Sequence, residues 1–588
     1  MSGERPVPES EESPTKKHKA PASLISSISS PETAITAPSL KADPDPEPAA
    51  KMATNPAAAA DPAAFENYYW GLRGNPRLLA RSSTQPWIPP MTEWIGFSGR
   101  REQVGKVISV VRCHILRERL EHGLRDKILQ VLATMNPCRW ISVDYIRLGY
   151  DRLVEKNNPV VIWVTVEENQ VPEAEAQRIV DALIQLCRRV DLPDVEVEMT
   201  EGRRATNNEV HERGQPLPMP TEYPHIGASI ALDGSTAVGT LGGYVQIDGK
   251  IMGITNHHVP FGAYRVEPFP SAEEGSSGKT YTFLQPANAD LQRRIKDCEA
   301  EIRLKTQRQS TIGYSSSRAE DIKKHQSEVE KLKSWTPERS ILGTVWKTSG
   351  LRARKAEIER RFRIDWALIK LVNPGRFQDP KNFVNKGPEE FHVSASYIAR
   401  GMKAAGQTKV DVPGYLKRSL AYDEVQTLQD CAEEEDRKYM VWKFGRSTHY
   451  TFGDLGGILS NYMSESGFVS DEQLVIDYDL LETSRPFCAP GDSGSLVWDS
   501  DGYVCAMLWG GKAGSNVHYV TPFEYVLEDI RQVCNAKDVK LVVRKEDETD
   551  VVFGPPERKK GSLKLGVDNL AAGIETADML GAESESEP

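Results

Sequence analysis

The sequence predicts a mainly β protein: antiparallel β-barrels of short strands, preceded by a small α/β module and flanked by disordered tails. Three observations carry this. From residue 225 onward, short apolar runs at 226–232, 237–247 and 250–255 are separated by turn signals, Asp233-Gly234-Ser235 and Asp248-Gly249-Lys250, which is how a small antiparallel barrel begins. Between 61 and 200, apolar residues at helical spacing alternate with β-rich runs. Residues 1–60 and 541–588 are polar and nearly free of aromatics, too poor in apolar surface to fold.

A chain of 588 residues has room for several cores. Its net charge of −11 argues against global attraction to nucleic acid, so a nucleic-acid partner is not expected. No run of about 18 apolar residues suggests a membrane span, and residues 1–14 lack the apolar core of a secretory signal. The cysteines at 113, 138, 187, 298, 431, 488, 505 and 534 are scattered. They read as free thiols of a reducing, intracellular compartment, cytoplasm or nucleus. No metal-ligand spacing occurs, and neither metal nor cofactor is expected. Lys16-Lys17-His18-Lys19 reads either as a nuclear address or as an ordinary basic patch in a tail.

In the 61–200 module, Val104, Val107, Val111 and Ile115 predict one helix, and Leu120, Leu124, Ile128 and Leu132 another. Strands at 140–148 and 160–166 follow, then a helix through Ile179, Leu183, Leu186 and Val190, and a closing strand at 195–199. Residues 201–224 are a polar, Pro-rich linker. A first barrel is assigned to 225–375, interrupted at 286–340 by a charged helical hairpin with stripes Leu291, Ile295, Cys298, Ile302 and Ala319, Ile322, Val329, Leu332. Its alternating acids and bases suit a solvated projection, a partner-binding element or a self-association element. A second barrel with a C-terminal helix is assigned to 376–540, with an irregular insertion near 398–440 whose acidic run 433–436 reads as a solvated loop.

Three stretches carry chemistry. Gly253-Ile254-Thr255-Asn256-His257-His258 ends a strand on two imidazoles. Asp365 opens the strongly apolar run Trp366-Ala367-Leu368-Ile369, an odd place for a carboxylate without partners. Pro490-Gly491-Asp492-Ser493-Gly494 sets a serine between glycines. A hydroxyl needs a base to become a nucleophile, and the charge it creates needs preorganised donors.

These stretches resemble the chymotrypsin-like (trypsin-fold) serine peptidases: Thr-x-x-His, the Asp-x-Ala-Leu-Ile strand and Gly-Asp-Ser-Gly, in the order His, Asp, Ser. The resemblance implies two six-stranded antiparallel barrels and a serine endopeptidase acting on a protein or peptide substrate. It identifies Ser493 as nucleophile, His258 rather than His257 as base, and Asp365 as its orienter. It gives the oxyanion hole to the N–H groups of Gly491 and Ser493. Both insertions fall inside gaps longer than the family's. Val259 follows the histidine where secreted members carry a disulfide cysteine, a departure that resembles the HtrA-like, disulfide-free branch. By the same match Phe487 lies at the base of the substrate pocket and Leu508-Trp509-Gly510 line a wall, favouring small or apolar residues at the cleavage site. Phe487 packing beneath the loop is the other reading. The rival function is a catalytically silent scaffold that kept the fold.

Overall fold

The computed structural model describes residues 66–92, 101–204, 224–262, 265–269, 280–356, 360–372, 382, 403, 404, 406, 414–478 and 486–544. The expected tails before 61 and beyond 544, and most of the linker, lie outside the described residues.

The α/β module contributes β1 (Leu78–Arg81), β2 (Val107–Val110), β3 (Trp140–Gly149), β4 (Val160–Glu167) and β5 (Val195–Gly202), with helices α1 (Arg125–Ala133) and α2 (Glu173–Arg189). β4, α2 and β5 make a crossover that leaves β4 and β5 parallel. Of the residues read as a first helix, Val107 lies in β2 instead, Val104 and Val111 flank that strand, and the helical stretch begins at Leu116. Val107, Ile108 and Val110 are β-branched, and the edge of β3 supplies ladder partners from Gly149 to Ile146. Tertiary pairing outweighs a helical spacing that a few β-branched residues carry only weakly. β3 and β4 are buried along nearly their whole length because both faces are covered. The α2 face Ile179, Val180, Leu183 and Cys187 packs on one side, and an aromatic cluster with Tyr69, Trp163, Trp509 and Tyr519 on the other.

The next strands are β6 (Ser229–Leu232), β7 (Gly239–Thr240), β8 (Gly243–Ile247), β9 (Lys250–Thr255), β10 (Thr282–Leu284) and β11 (Ile341–Thr348). A ribbon of β12 (Arg352–Lys355) and β13 (Arg361–Ile364) precedes β14 (Ala367–Leu371). The pairing order β8-β9-β14-β11-β10-β6-β7 is an open, half-barrel sheet. Between β10 and β11 stand α3 (Asn288–Ile312) and α4 (Ser316–Lys333), a hairpin closed by Leu291, Ile295, Cys298, Val329, Leu332 and Trp335.

Helix α5 (Tyr422–Glu434) leads into β15 (Met440–Gly445), β16 (His449–Leu455), β17 (Ser460–Met463), β18 (Val469–Asp477), β19 (Leu496–Asp499), β20 (Val504–Gly511) and β21 (Val517–Pro522). The circuit β18-β16-β15-β19-β20-β21 closes through the β18–β21 pairing, giving a six-stranded barrel. Helix α6 (Phe523–Cys534) follows, and β22 (Val539–Leu541) returns to pair with β8. The architecture is mainly β, a closed barrel beside a half-barrel sheet, consistent with a double-barrel trypsin-like fold. The acidic run is not all loop: Glu433 and Glu434 end α5, whose Val425, Gln429 and Ala432 are buried. Burial pushes the Glu433 carboxyl up to about 7, against the pull of Arg117.

One core cluster joins both barrels: Ile254, Trp366 and Leu368 from the half-barrel, Trp442, Phe452, Leu496 and Trp498 from the closed one, and Phe523 and Ile530 from α6. Each such side chain, fully buried, is worth roughly 1.5–3 kcal/mol before entropy is counted. The module is welded on as well. β17 pairs with both β18 and β3, so its sheet continues into the closed barrel. Across that seam the buried Asp144 accepts hydrogen bonds from Lys512 Nζ (2.7 Å) and Tyr519 Oη (2.9 Å). All eight cysteines are free thiols. No described helix is long and apolar enough to cross a membrane.

Candidate active site

Strand register places the histidine and the aspartate. Ala367 of β14 stands opposite Thr255 of β9, so residues just before β14 and just after β9 meet at one sheet end. His258 opens a short helical turn there, and its backbone N–H donates to Asp365 Oδ1 at 3.1 Å. The ring Nδ1 lies 2.6 Å from Oδ2 of the same carboxylate, and both side chains are almost wholly buried. A carboxylate facing Nδ1 fixes the Nδ1–H tautomer and leaves Nε2 as a base. Nε2 is buried and has no hydrogen-bond partner among the described residues. Asp365 is held from behind: Arg363, two residues earlier and so on the same strand face, donates through Nη2 at 3.2 Å. Burial alone would raise the Asp365 pKa, but His258 and Arg363 hold it well below the usual carboxylate range. His257 is engaged elsewhere, with Nδ1 2.9 Å from Thr348 Oγ1 and Nε2 2.8 Å from the Arg265 carbonyl. Burial lowers its pKa.

The serine loop is fixed by the acid that precedes it. Asp492, fully buried, accepts from the N–H groups of Ser447 (2.6 Å), Thr448 (3.2 Å) and Ala489 (2.9 Å) and from Thr448 Oγ1 (2.7 Å). Lys443 Nζ, also fully buried, is 3.4 Å away. Burial works against this charge; Lys443 and the donors outweigh it and lower the pKa. Thr240 of β7 ties the loop to the half-barrel, its N–H donating to the Ser493 carbonyl (3.1 Å) and its Oγ1 to the Gly491 carbonyl (2.8 Å). Gly494, at φ +95°, lies so close to β9 that a Cβ would come within 2.5 Å of Thr255 Oγ1 and 3.2 Å of the Asn256 nitrogen. Asn256 is two residues before His258. The Ser493 hydroxyl itself donates to the Trp509 carbonyl at 3.3 Å. The structure therefore joins His258 to Asp365, brings the serine loop against the strand that carries the histidine, and makes no hydrogen bond between Ser493 and His258. The N–H groups of Gly491 and Ser493 have no acceptor among the described residues.

Phe487 is fully buried in a core cluster with Val441, Leu508 and Val520. Leu508 faces that same core, Trp509 stacks on Tyr519 with centroids 5.6 Å apart, and Gly510 has open space where a Cβ would stand. The Arg363 guanidinium lies 4.2 Å over the Trp509 ring, linking wall and aspartate. Sequence reasoning missed Arg363, Lys443, Arg446 and Asp290. Arg446, in the turn beside Gly491, is held by a buried pair with Asp290 at the root of the helical hairpin (Nε to Oδ2 2.7 Å). Lysine inside Val441-Trp442-Lys443-Phe444, and the i, i+2 spacing of Arg363 and Asp365, were the available signals. Among the described residues one group has metal-ligand chemistry, Cys298, His325 and Glu328 on the hairpin; Arg294, 3.4 Å from Glu328, already neutralises that carboxylate.

No protein-family model and no curated protein matches the chain. Among solved structures it is similar to a glutamic-acid-specific serine protease described as using a novel histidine triad in substrate binding (11% identity, TM-score 0.25, 54% of this chain and 100% of that one). It is also similar to Thermobifida fusca protease A (10%, 0.25, 54% and 98%) and to Nocardiopsis protease (8%, 0.23, 54% and 97%). Likenesses this weak assign no role to any residue.

Proposed function

We propose that the protein is a serine endopeptidase of the trypsin fold. The observation that carries this is the buried His258–Asp365 pair with an unpartnered Nε2, at the sheet end against which the Ser493 loop packs. In this reading Ser493 Oγ turns from the Trp509 carbonyl to Nε2, attacks a peptide carbonyl, and gives its proton to His258, which returns it to the leaving amine. Asp365 steadies the imidazolium, and the N–H groups of Gly491 and Ser493 receive the oxyanion, each such donor being worth about 3 kcal/mol of barrier. Phe487, Leu508, Trp509 and Gly510 would border the pocket; with Phe487 in the core, Gly510 is the residue left open to a substrate side chain. Val259 and the free cysteines support a disulfide-free, HtrA-like and intracellular member. The helical hairpin, rooted beside Gly491 through Asp290–Arg446, is the part proposed to bind a protein partner or a second copy.

A fluorophosphonate probe tests the reading. Wild type is expected to label at Ser493, Ser493→Ala not at all, and His258→Ala at a severely reduced rate. Labelling that survives His258→Ala but not His257→Ala would move the base to the neighbouring ring. A second reading, a silent scaffold, is favoured by the Ser493–Trp509 hydrogen bond; it requires that neither probe nor peptide library ever reacts, with or without a partner.

A further inference from the structure

Beside the serine loop lies a second relay that His258, Asp365 and Ser493 do not use. Cys488 Sγ is 3.2 Å from His518 Nδ1, and His518 Nε2 is 2.7 Å from Asp477 Oδ1. Asp477 is itself fixed by the Phe487 N–H (2.6 Å), Arg73 Nε (3.1 Å) and Asn516 Nδ2 (3.3 Å). A nucleophile in contact with a base, and a base oriented by a carboxylate, is the arrangement that activates a thiol. His518 is wholly buried, yet it favours the charged form. Burial opposes the charge, Cys488 and Asp477 outweigh burial, and the pKa rises to about 10. An imidazolium in contact with a thiol stabilises the thiolate. Burial pushes the thiols of Cys187, Cys298 and Cys534 up to about 11 and holds that of Cys505 well above its usual value. Cys488 is half-buried, and its sulfur lies 4.0 Å from the Gly510 carbonyl.

We propose that Cys488 is a nucleophilic thiol, activated by His518 and Asp477, that is modified by soft electrophiles and by hydrogen peroxide. With an alkyl iodide the sulfur forms an S–C bond, the C–I bond breaks and iodide leaves, while the thiol proton passes to His518 Nδ1, 3.2 Å away. With peroxide the sulfur takes one oxygen as the O–O bond breaks. Sulfur is oxidised by two electrons to a sulfenic acid, peroxide is reduced, and the departing hydroxide takes the His518 proton to become water.

The test is site-resolved labelling of the native full-length protein by iodoacetamide, read by mass spectrometry between pH 6 and 8. The exposed Cys113 and Cys138 of the same chain serve as internal references. A thiol that hands its proton to a contacting imidazole as it attacks can react at pH 6, where an ordinary one is well under 1% thiolate. Cys488 is expected to react about 10-fold faster than either reference at pH 6, with a nearly flat profile while the references rise steeply. His518→Gln should bring it to the reference rate, and dimedone should trap a sulfenate at 488 after peroxide. Labelling no faster than the references, rising with pH in parallel with them, overturns the proposal. That wild-type profile decides by itself if the histidine variant does not fold. The same measurement in Ser493→Ala protein is independent of the peptidase reading, so either can fail alone.

Discussion

Replacing Lys443 by methionine tests what holds the serine loop in shape. Methionine nearly matches the lysine stem in volume, so the substitution removes charge without opening a cavity. It strips the only cation paired with Asp492 among the described residues, and takes donors from Thr448 Oγ1 and the His449 carbonyl (3.1 Å). Breaking a buried pair by removing one partner costs about 3–5 kcal/mol. Asp492 retains its hydrogen bonds from Ser447, Thr448 and Ala489, which favours the lower figure, about 3 kcal/mol, or roughly 150-fold in the folding equilibrium. Asp492→Asn alone should cost a similar amount, because it removes the carboxylate charge that faces the buried Lys443. The double variant should then cost about the same as either single one, not their sum. Urea unfolding followed by tryptophan fluorescence measures the cycle, and the fluorophosphonate rate reports the loop. The sign with pH is fixed too. The folded Asp492 pKa is depressed, so its contribution is present above the unfolded value and lost as pH falls through the folded one. The gap between wild type and Lys443→Met should therefore narrow below about pH 4. Single costs that add within about 0.5 kcal/mol in the double variant refute the argument.

Gly494→Ala should cost more than about 2 kcal/mol and abolish probe labelling, since its Cβ would fall 2.7 Å from the Thr240 carbonyl oxygen as well as on Thr255. Gly234→Ala, at φ +76° with nothing within 4 Å, should cost only about 1 kcal/mol in the same melts. Arg363→Met should destabilise by about 1.5–3 kcal/mol through the lost bond to a buried carboxylate. Arg363→Lys should not restore it, because an ammonium cannot both fork to Asp365 and lie flat on Trp509. Glu472, wholly buried, has its carboxyl pushed up to about 7 by burial, against the pull of Ser470, Trp509 and Arg363. Its raised folded pKa means stability fully present below about pH 4.5 and lost as pH rises through 7, about 3 kcal/mol in all. Denaturation midpoints of Glu472→Gln should lack that decline, and an unchanged slope in the variant sinks the assignment.

The sequence by itself determined the barrel strands and the His, Asp and Ser stretches, because each is a local pattern: alternating apolar runs, glycine turns, and a polar residue misplaced at an apolar strand end. The hairpin was legible for the same reason, its 4-3-4 stripe needing no knowledge of what surrounds it. Only tertiary structure turned the 107–110 valines into a strand, since the free edge of β3 is 30 residues and more away in sequence. The same holds for the seam where β17 joins the module to the closed barrel, and for Lys443 under Asp492 and Arg363 under Trp509. The Cys488–His518–Asp477 relay is of this kind as well. Charge and hydrogen bonding act through space, and a lone lysine, arginine or cysteine in a strand carries no local trace of the partner that the fold brings to it.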